Sequence, residues 1–299
     1  MVAVSDYRHG EDAIMRISFI GGGVMAEAMI KGILNARLAQ PDQICVGELL
    51  DSRRDYLIKT YGLRALKENS DALNGAELVV LSVKPQSLDE IVSDIAPMLE
   101  SEQVVISIMA GISLDALQNG LAHQAVIRVM PNTPAQIGKG VTVWTASELV
   151  SEDIIRASRE ILATLGEELF VKEEKFINMA TAVSASGPAY VFLFIESLID
   201  AGVYLGMSRE MARKLVLGTV KGSTDLVLTT QLHPADLKDM VTSPGGTTAE
   251  ALKVFERTHD LSGRPLALDT GWNHHHMHGR PATAKNLQEV TNRGPGWTG

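Results

Sequence analysis

At 299 residues the chain has room for two domains of ordinary size, and with 45% hydrophobic and 21% charged residues its composition is that of a globular protein. A formal net charge of −9, from 36 acidic against 27 basic residues, argues against a nucleic-acid-binding surface as the main function. The single cysteine, Cys45, allows no intrachain disulfide and points to a reducing compartment. It lies in an apolar strand pattern and reads as a buried, inert thiol.

Residues 1–14 are polar and mixed in charge, without the apolar core of a signal peptide, and read as an N-terminal extension. The strand Arg16-Ile-Ser-Phe-Ile20 then runs into Gly21-Gly22-Gly23-Val24-Met25-Ala26, and a helical pattern follows. Gly21, Gly23 and Ala26 fit the spacing of a dinucleotide loop. Gly21 allows the tight turn, Gly23 lets the backbone approach a pyrophosphate, and Ala26 lets helix and strand pack closely. The free N–H groups of the new helix face the phosphates. The alternative is an ordinary tight turn between strand and helix.

Further along, Gln43 to Gly47 is a short strand ending at Glu48, and Leu57 to Tyr61 belongs to a helix stopped by Gly62. Glu77 to Val83 and Val104 to Ile108 are nearly continuous apolar runs, as expected of parallel strands covered on both faces. Leu88 to Leu99 has helical spacing, and Ser113 is placed to cap the helix that follows it. Ala125 to Val129 and Val141 to Trp144 add two more strands. The alternation predicts a doubly wound, Rossmann-like α/β domain over residues 15–170. The turns Val83-Lys84-Pro85 and Met130-Pro-Asn132-Thr133-Pro134 both follow strands at the carboxyl end, where such sheets bind ligands.

From Phe176 the strand signals vanish, and residues 171–256 read as an all-α domain. Ser184 and Ser186 are cap candidates for a helix entered at Pro188. That helix is apolar almost all round (Val191, Phe192, Phe194, Ile195, Leu198), which suggests a core completed by dimerisation. The run Tyr190 to Leu205 carries Glu196 and Asp200 and reads as too short and too charged for a membrane span, so a soluble, cytoplasmic protein is expected. Ser208 to Leu228 forms a second long helix, with Gly218 and Gly222 spaced for close helix contact. Residues 257–299 keep no apolar period and read as a disordered or non-family tail. Its histidines, His274 to His276 and His278, lack an ordered scaffold for a metal.

A second glycine loop lies at Thr242-Ser243-Pro-Gly245-Gly246-Thr247-Thr248. Thr247 and Glu250 have capping-box spacing, so a helix is expected to start there. Backbone amides beside a helix N-terminus, ringed by hydroxyls, make a site for a small carboxylate. The alternative is a well-capped loop without a ligand. Neither loop contains a histidine. His123 and His233 read as surface or capping residues, and no metal site is expected among 15–256. The chemistry should therefore lean on a cofactor.

These segments resemble the Δ1-pyrroline-5-carboxylate reductase family. The carrying stretches are Phe19 to Ala26, Val83 to Gln86, Arg128 to Pro134, Ser184 to Tyr190 and Leu237 to Thr248, in the right order across residues 15–256. The resemblance implies reduction of the cyclic imine to proline by NADPH or NADH. It also implies a Rossmann domain and a helical domain that interlocks into a homodimer, with further assembly into rings. Gly21 and Gly23 would hold the pyrophosphate, with Val24 and Met25 in the same loop. Val83, Lys84, Pro85, Asn132 and Thr133 would line the nicotinamide end, with Ala110 a further cofactor candidate. Ser243, Gly245, Gly246 and Thr247, from the partner subunit, would hold the substrate carboxylate. Thr248 would face the ring nitrogen as the catalytic residue. After Glu256 the family continues with a glycine-containing turn and a terminal helix, and this chain shows neither.

Cofactor choice rests on opposing residues. Glu48, 25 positions after Gly23, can bind ribose hydroxyls and favour NADH. Ser52, Arg53 and Arg54 can bind a 2′-phosphate, and as two arginines and a serine against one acid they point to NADPH. The alternative functions are another imine or β-hydroxyacid reductase, or a dinucleotide-binding protein without turnover.

Overall fold

The structure, a computed structural model, describes residues 15–257. The N-terminal extension and the tail with its histidines lie outside the described residues. Two compact units divide between Ser186 and Gly187.

The first unit is built on eight strands: β1 (Ile17–Ile20), β2 (Ile44–Gly47), β3 (Arg64–Leu66), β4 (Leu78–Leu81), β5 (Val104–Ser107), β6 (Val126–Met130), β7 (Gly140–Ala146) and β8 (Gly166–Phe170). Their order in the sheet is β3-β2-β1-β4-β5-β6-β7-β8. The chain runs outward from β1 to β3, then crosses back to β4 on the other side of β1. This reversal is the topological switch at which open α/β sheets bind ligands. Helices α1 (Val24–Asn35), α2 (Asp51–Tyr61), α3 (Asn69–Ala72), α4 (Leu88–Ile95), α5 (Leu114–Leu121) and α6 (Glu152–Ala163) accompany the strands. Ser113 caps α5 as expected, accepting from the Ala116 N–H at 3.2 Å.

Strand β4 shows why apolar runs build this sheet. Leu78 and Val80 enter one core cluster with Phe19, Met29, Ile33 and Trp144. Val79 and Leu81 point the other way, into a cluster with Ile20, Ile95 and Leu117. Alternation sends successive side chains to opposite faces, so a strand covered on both must be apolar throughout. Each such side chain contributes about 1.5–3 kcal/mol by leaving water.

The sheet departs from the wholly parallel arrangement at its far edge. β6 and β7 pair antiparallel, and β8 lies parallel to β7. Residues 131–139 are too few to carry a crossover helix, so the chain must turn back on itself.

Helix α7 (Lys175–Ala180) and a π-helical turn, Thr181–Ala185, belong to this first unit. Their anchor is Arg128 on β6, only 2% exposed. Its guanidinium donates to Glu174 Oε1 at 2.5 Å and to Asn178 Oδ1 at 2.9 Å. Glu174 also accepts from the Leu114 N–H at 2.8 Å, so one buried cation joins α5, α7 and the sheet. A helix does begin beside Pro188, at Gly187, but Ser184 does not cap it: its hydroxyl donates to the Ala180 carbonyl at 3.0 Å, within the π-turn that precedes the helix.

The second unit contains α8 (Gly187–Tyr204), α9 (Arg209–Thr230), α10 (Pro234–Met240) and α11 (Thr247–Arg257). α8 and α9 approach where a Cβ on Gly202 would meet the Ala212 Cβ at 2.8 Å. Among the described residues, however, α8 has none buried and α9 only Ala212. Phe192 and Leu193 are 60% and 64% exposed. Gly218 and Gly222 face open space. The helical run is longer than the sequence suggested: Lys175–Tyr204 spans 30 residues and passes, by length and composition only, for a helix able to cross a membrane.

The Arg128 network makes a direct test of the first unit. Arg128→Ala leaves Glu174 and Asn178 without their partner and should lower unfolding free energy by about 3 kcal/mol. Urea titration followed by circular dichroism reads this. A loss below about 1 kcal/mol would mean that α7 is held by other contacts.

Candidate active site

The turn after β1 is closed from both sides. The Gly21 N–H donates to the Gly47 carbonyl at 2.8 Å, and the Ser82 hydroxyl donates to the Gly21 carbonyl at 2.6 Å. Gly21 has φ +95°, and a Cβ there would meet the Ser82 carbonyl oxygen and Val83 Cγ1, both at 2.9 Å. Only glycine fits. Two residues on, a Cβ on Gly23 would have nothing within 4 Å. Gly23 is the N-cap of α1 and no side chain caps that end. The first amides of α1 are thus left for a ligand of negative charge, with open space above Gly23 for its approach.

Glu48 follows β2 and turns its carboxylate back to this loop. It accepts from the Gly22 N–H and the Leu50 N–H, each at 2.9 Å. Arg53 braces the loop from the other side. Its Nε donates to the Gly22 carbonyl at 2.6 Å, and its terminal nitrogen pairs with Glu27 at 2.5 Å. Glu27 also accepts from the hydroxyls of Tyr56 at 2.8 Å and Tyr61 at 2.7 Å. Burial would raise the Glu27 pKa, but hydrogen bonds from Arg53, Tyr61 and Tyr56 outweigh it and hold the carboxyl below its ordinary value. Burial and the Glu27 carboxylate push the Tyr61 phenol up.

The remaining cofactor candidates stand at the carboxyl ends of neighbouring strands. Val83, Lys84 and Pro85 follow β4, Ala110 follows β5, and Asn132 and Thr133 follow β6. Lys84, Ala110 and Thr133 are exposed. Asn132 is buried and bridges two backbones, donating to the Ser184 carbonyl at 3.1 Å and accepting from the Val141 N–H at 2.9 Å. Beside β1 lies a cavity of about 400 Å³, lined by Gly21, Gly47, Glu48, Asn69 and Val83 among others. Val24, Met25, Ser52 and Arg53 do not line it. Glycine loop, free helix end and adjoining cavity together fit a dinucleotide.

Asn69 was not anticipated. It is buried, its Oδ1 lies 2.6 Å from where a Gly47 Cβ would stand, and its amide donates to Asp94 at 2.9 Å. The signal was weak because β3, which delivers it, is only three residues long and half exposed. The histidines divide. His233 caps α10, its Nδ1 accepting from Ala235 at 3.2 Å. His123 proves buried rather than superficial, 7% exposed, with Nε2 against the Gln103 carbonyl at 2.7 Å. The Cys45 thiol is half-buried, and burial pushes its pKa up.

The second loop belongs to the helical unit. Ser243 to Gly246 is a β-turn, closed by the Gly246 N–H on the Ser243 carbonyl at 3.0 Å. Pro244 occupies its second position and Gly245, at φ +66°, its third, which is type II chemistry. The first helical bond of α11 runs from the Glu250 N–H to the Gly246 carbonyl at 3.3 Å. Gly246 is therefore the cap and Thr247 the first helical residue, and among the described residues no Thr247–Glu250 capping box is formed. The Gly246 amide is spent on the turn. Those of Gly245, Thr247 and Thr248 have no hydrogen-bond partner among the described residues.

Two family models match the chain: pyrroline-5-carboxylate reductase dimerisation over residues 174–263, and NADP oxidoreductase, coenzyme F420-dependent, over 16–111. A pyrroline-5-carboxylate reductase of Synechocystis is 44% identical over 81% of this chain and 90% of its own length. That decides the matter. The chain belongs to the pyrroline-5-carboxylate reductase family. The Escherichia coli reductase is 38% identical over 81% of this chain and 90% of its own. A Plasmodium falciparum pyrroline carboxylate reductase solved with NADP bound has a TM-score of 0.81 and 31% identity, covering 89% of this chain and 98% of that one. The pyrroline-5-carboxylate reductase dimerisation model spans the stretch that contains the exposed apolar helices α8 and α9.

The Glu27 network carries a pH signature. A carboxyl whose pKa is lowered on folding adds stability above its unfolded value, about 4.3, and that stability is lost as pH falls through the lower folded value. Glu27→Gln should therefore cost about 1–2 kcal/mol at pH 7, and the gap from wild type should shrink as pH falls toward 3. Urea titrations at several pH values read the difference. A gap independent of pH would place the effect outside the ionised carboxylate.

Proposed function

We propose that the protein reduces Δ1-pyrroline-5-carboxylate to L-proline with NADPH or NADH, the last step of proline biosynthesis. The observation that carries this is a 44% identity to a named reductase over 81% of the chain and 90% of the relative's length. The nicotinamide, when bound, supplies the hydride. The residues of the chain have the tasks of binding, orientation and proton control.

Gly21 and Gly23 with the first turn of α1, including Val24 and Met25, hold the pyrophosphate. Val83, Lys84, Pro85, Ala110, Asn132 and Thr133 line the nicotinamide side. The loop Ser243 to Thr248 receives the substrate carboxylate. The free amides favour Gly245, Thr247 and Thr248 as donors and assign Gly246 to shaping the turn. A protonated cyclic imine accepts hydride at carbon without a strong general acid. In this reading the Thr248 hydroxyl hydrogen-bonds the ring nitrogen and steadies it as its lone pair forms. Orientation of the reacting planes contributes on the order of 7–11 kcal/mol in well-positioned reactions of this kind.

The loop is supplied to the cofactor edge by the partner subunit of a homodimer, and dimers assemble further into rings. The exposed apolar faces of α8 and α9 support the dimer. A cytoplasmic location is supported by the single cysteine, Cys45, which allows no intrachain disulfide.

Thr248→Ala should lower kcat by about 10²-fold while leaving the dissociation constant of the cofactor unchanged. Steady-state oxidation of NAD(P)H with the cyclic imine, beside a cofactor titration, reads both. Wild-type turnover without a change in the variant would remove Thr248 from the mechanism, and cofactor binding with no turnover in the wild type would favour a non-catalytic role.

A further inference from the structure

We propose that the adenosine end of the cofactor site is built for NADH and works against the 2′-phosphate of NADPH, with Glu48 as the discriminating residue. The inference rests on the reading of the chain as an NAD(P)H-dependent reductase. It reverses the choice that the residue types alone suggest, because the structure shows where the two arginines go.

Arg53 is occupied. Its Nε donates to the Gly22 carbonyl at 2.6 Å, its terminal nitrogen pairs with Glu27 at 2.5 Å, and its plane lies over the Tyr56 ring at 4.9 Å. Moving it toward a phosphate would strip the glycine loop of a brace and leave Glu27 without its cation. Arg54 is occupied as well. It donates to the carbonyls of Glu48 at 2.6 Å and Leu49 at 2.9 Å and pairs with Asp51. Neither arginine lines the cavity beside β1. Ser52 is exposed in the first turn of α2 and does not line it either.

The cavity is acidic instead. Glu48, Glu68, Glu90 and Asp94 line it with one cation, Lys67, which stands 4.0 Å from Glu68. Glu48 is fixed in orientation by the Gly22 and Leu50 amides, one to each carboxylate oxygen. A carboxylate has about four acceptor positions, so each oxygen keeps capacity for one more donor. Two vicinal ribose hydroxyls are such a pair of donors. A 2′-phosphate replaces one donor by a group of charge near −2 with no proton to give, set against a carboxylate that cannot turn away. The geometry therefore rewards the free diol and penalises the phosphate.

The test is direct binding. The intact protein is titrated with NADH and, separately, NADPH, read by the fluorescence of the reduced nicotinamide, and with AMP and adenosine 2′,5′-bisphosphate by calorimetry. NADH should bind at least tenfold more tightly than NADPH, AMP should outbind the bisphosphate, and raising the salt concentration should narrow both ratios. Glu48→Gln keeps one acceptor for the backbone amides and removes the charge. It should narrow the NADH:NADPH ratio at least tenfold, mainly by tightening NADPH. Its thermal midpoint reports whether the loop still folds, and the wild-type ratio stands as a test if it does not. Equal or tighter binding of NADPH to the wild type overturns the proposal and shows that an arginine is redeployed. Failure of both dinucleotides to bind overturns the reductase reading itself.

Discussion

Everything in the sheet unit depends on one close approach. Gly21 leaves β1 in a left-handed conformation, between the carbonyl of Gly47 on one neighbour and Ser82 on the other. No side chain can be accommodated there, so the chain can turn upward at once and begin α1 within three residues. That single turn sets the height of the helix over the sheet edge. It also brings Gly22 to Glu48 and Arg53, two residues from a different crossover, which lock it by opposite charges on its N–H and its carbonyl. The pyrophosphate position is thus built by backbone geometry and held by an electrostatic clamp on the Gly22 peptide, in which Arg53 is fully committed to the protein and Glu48 keeps acceptor capacity for a ligand.

The clamp also divides labour among charged groups that look interchangeable in sequence. Three acids and two arginines cluster around this loop, yet each has a distinct employment. Glu27 gathers Arg53 and two tyrosines below the loop, Asp51 pairs with Arg54 at the start of α2, and Glu48 alone presents to the cavity. The Glu27–Arg53 pair, partly buried and multiply hydrogen-bonded, is harder to rearrange than a surface pair, because a displaced partner loses several bonds at once.

Much of this was legible from residue order. Continuous apolar runs identified the central strands because burial on both faces leaves no polar position, and the glycine spacing identified β1 and α1. β3 and β8 escaped notice for the opposite reason. Arg64–Leu66 and Gly166–Phe170 lie toward the sheet edges, carry charged residues and are only partly buried. The antiparallel turn into β7 hides in a loop whose prolines read equally well as a ligand-binding turn. In the candidate site, residue types were readable and pairings were not. That Arg53 finds Glu27, 26 positions away, is a consequence of tertiary folding that no local pattern encodes. The same holds for the Gly246 amide, whose commitment to its own turn follows from the conformation of Gly245.

The helical unit is synthesised after the sheet unit's strands, and among the described residues its apolar faces are uncovered. A helix such as α8, apolar on nearly every side and with no residue buried among the described residues, has no autonomous folded state of much stability. Completion of the molecule then becomes a second-order event, proportional to the square of protomer concentration, whereas the sheet unit closes at a rate indifferent to dilution. Newly made chains pass through an interval in which the cofactor domain is finished and the helices are still seeking their counterpart. During that interval chaperones, other nascent chains and membranes all compete for the same surface.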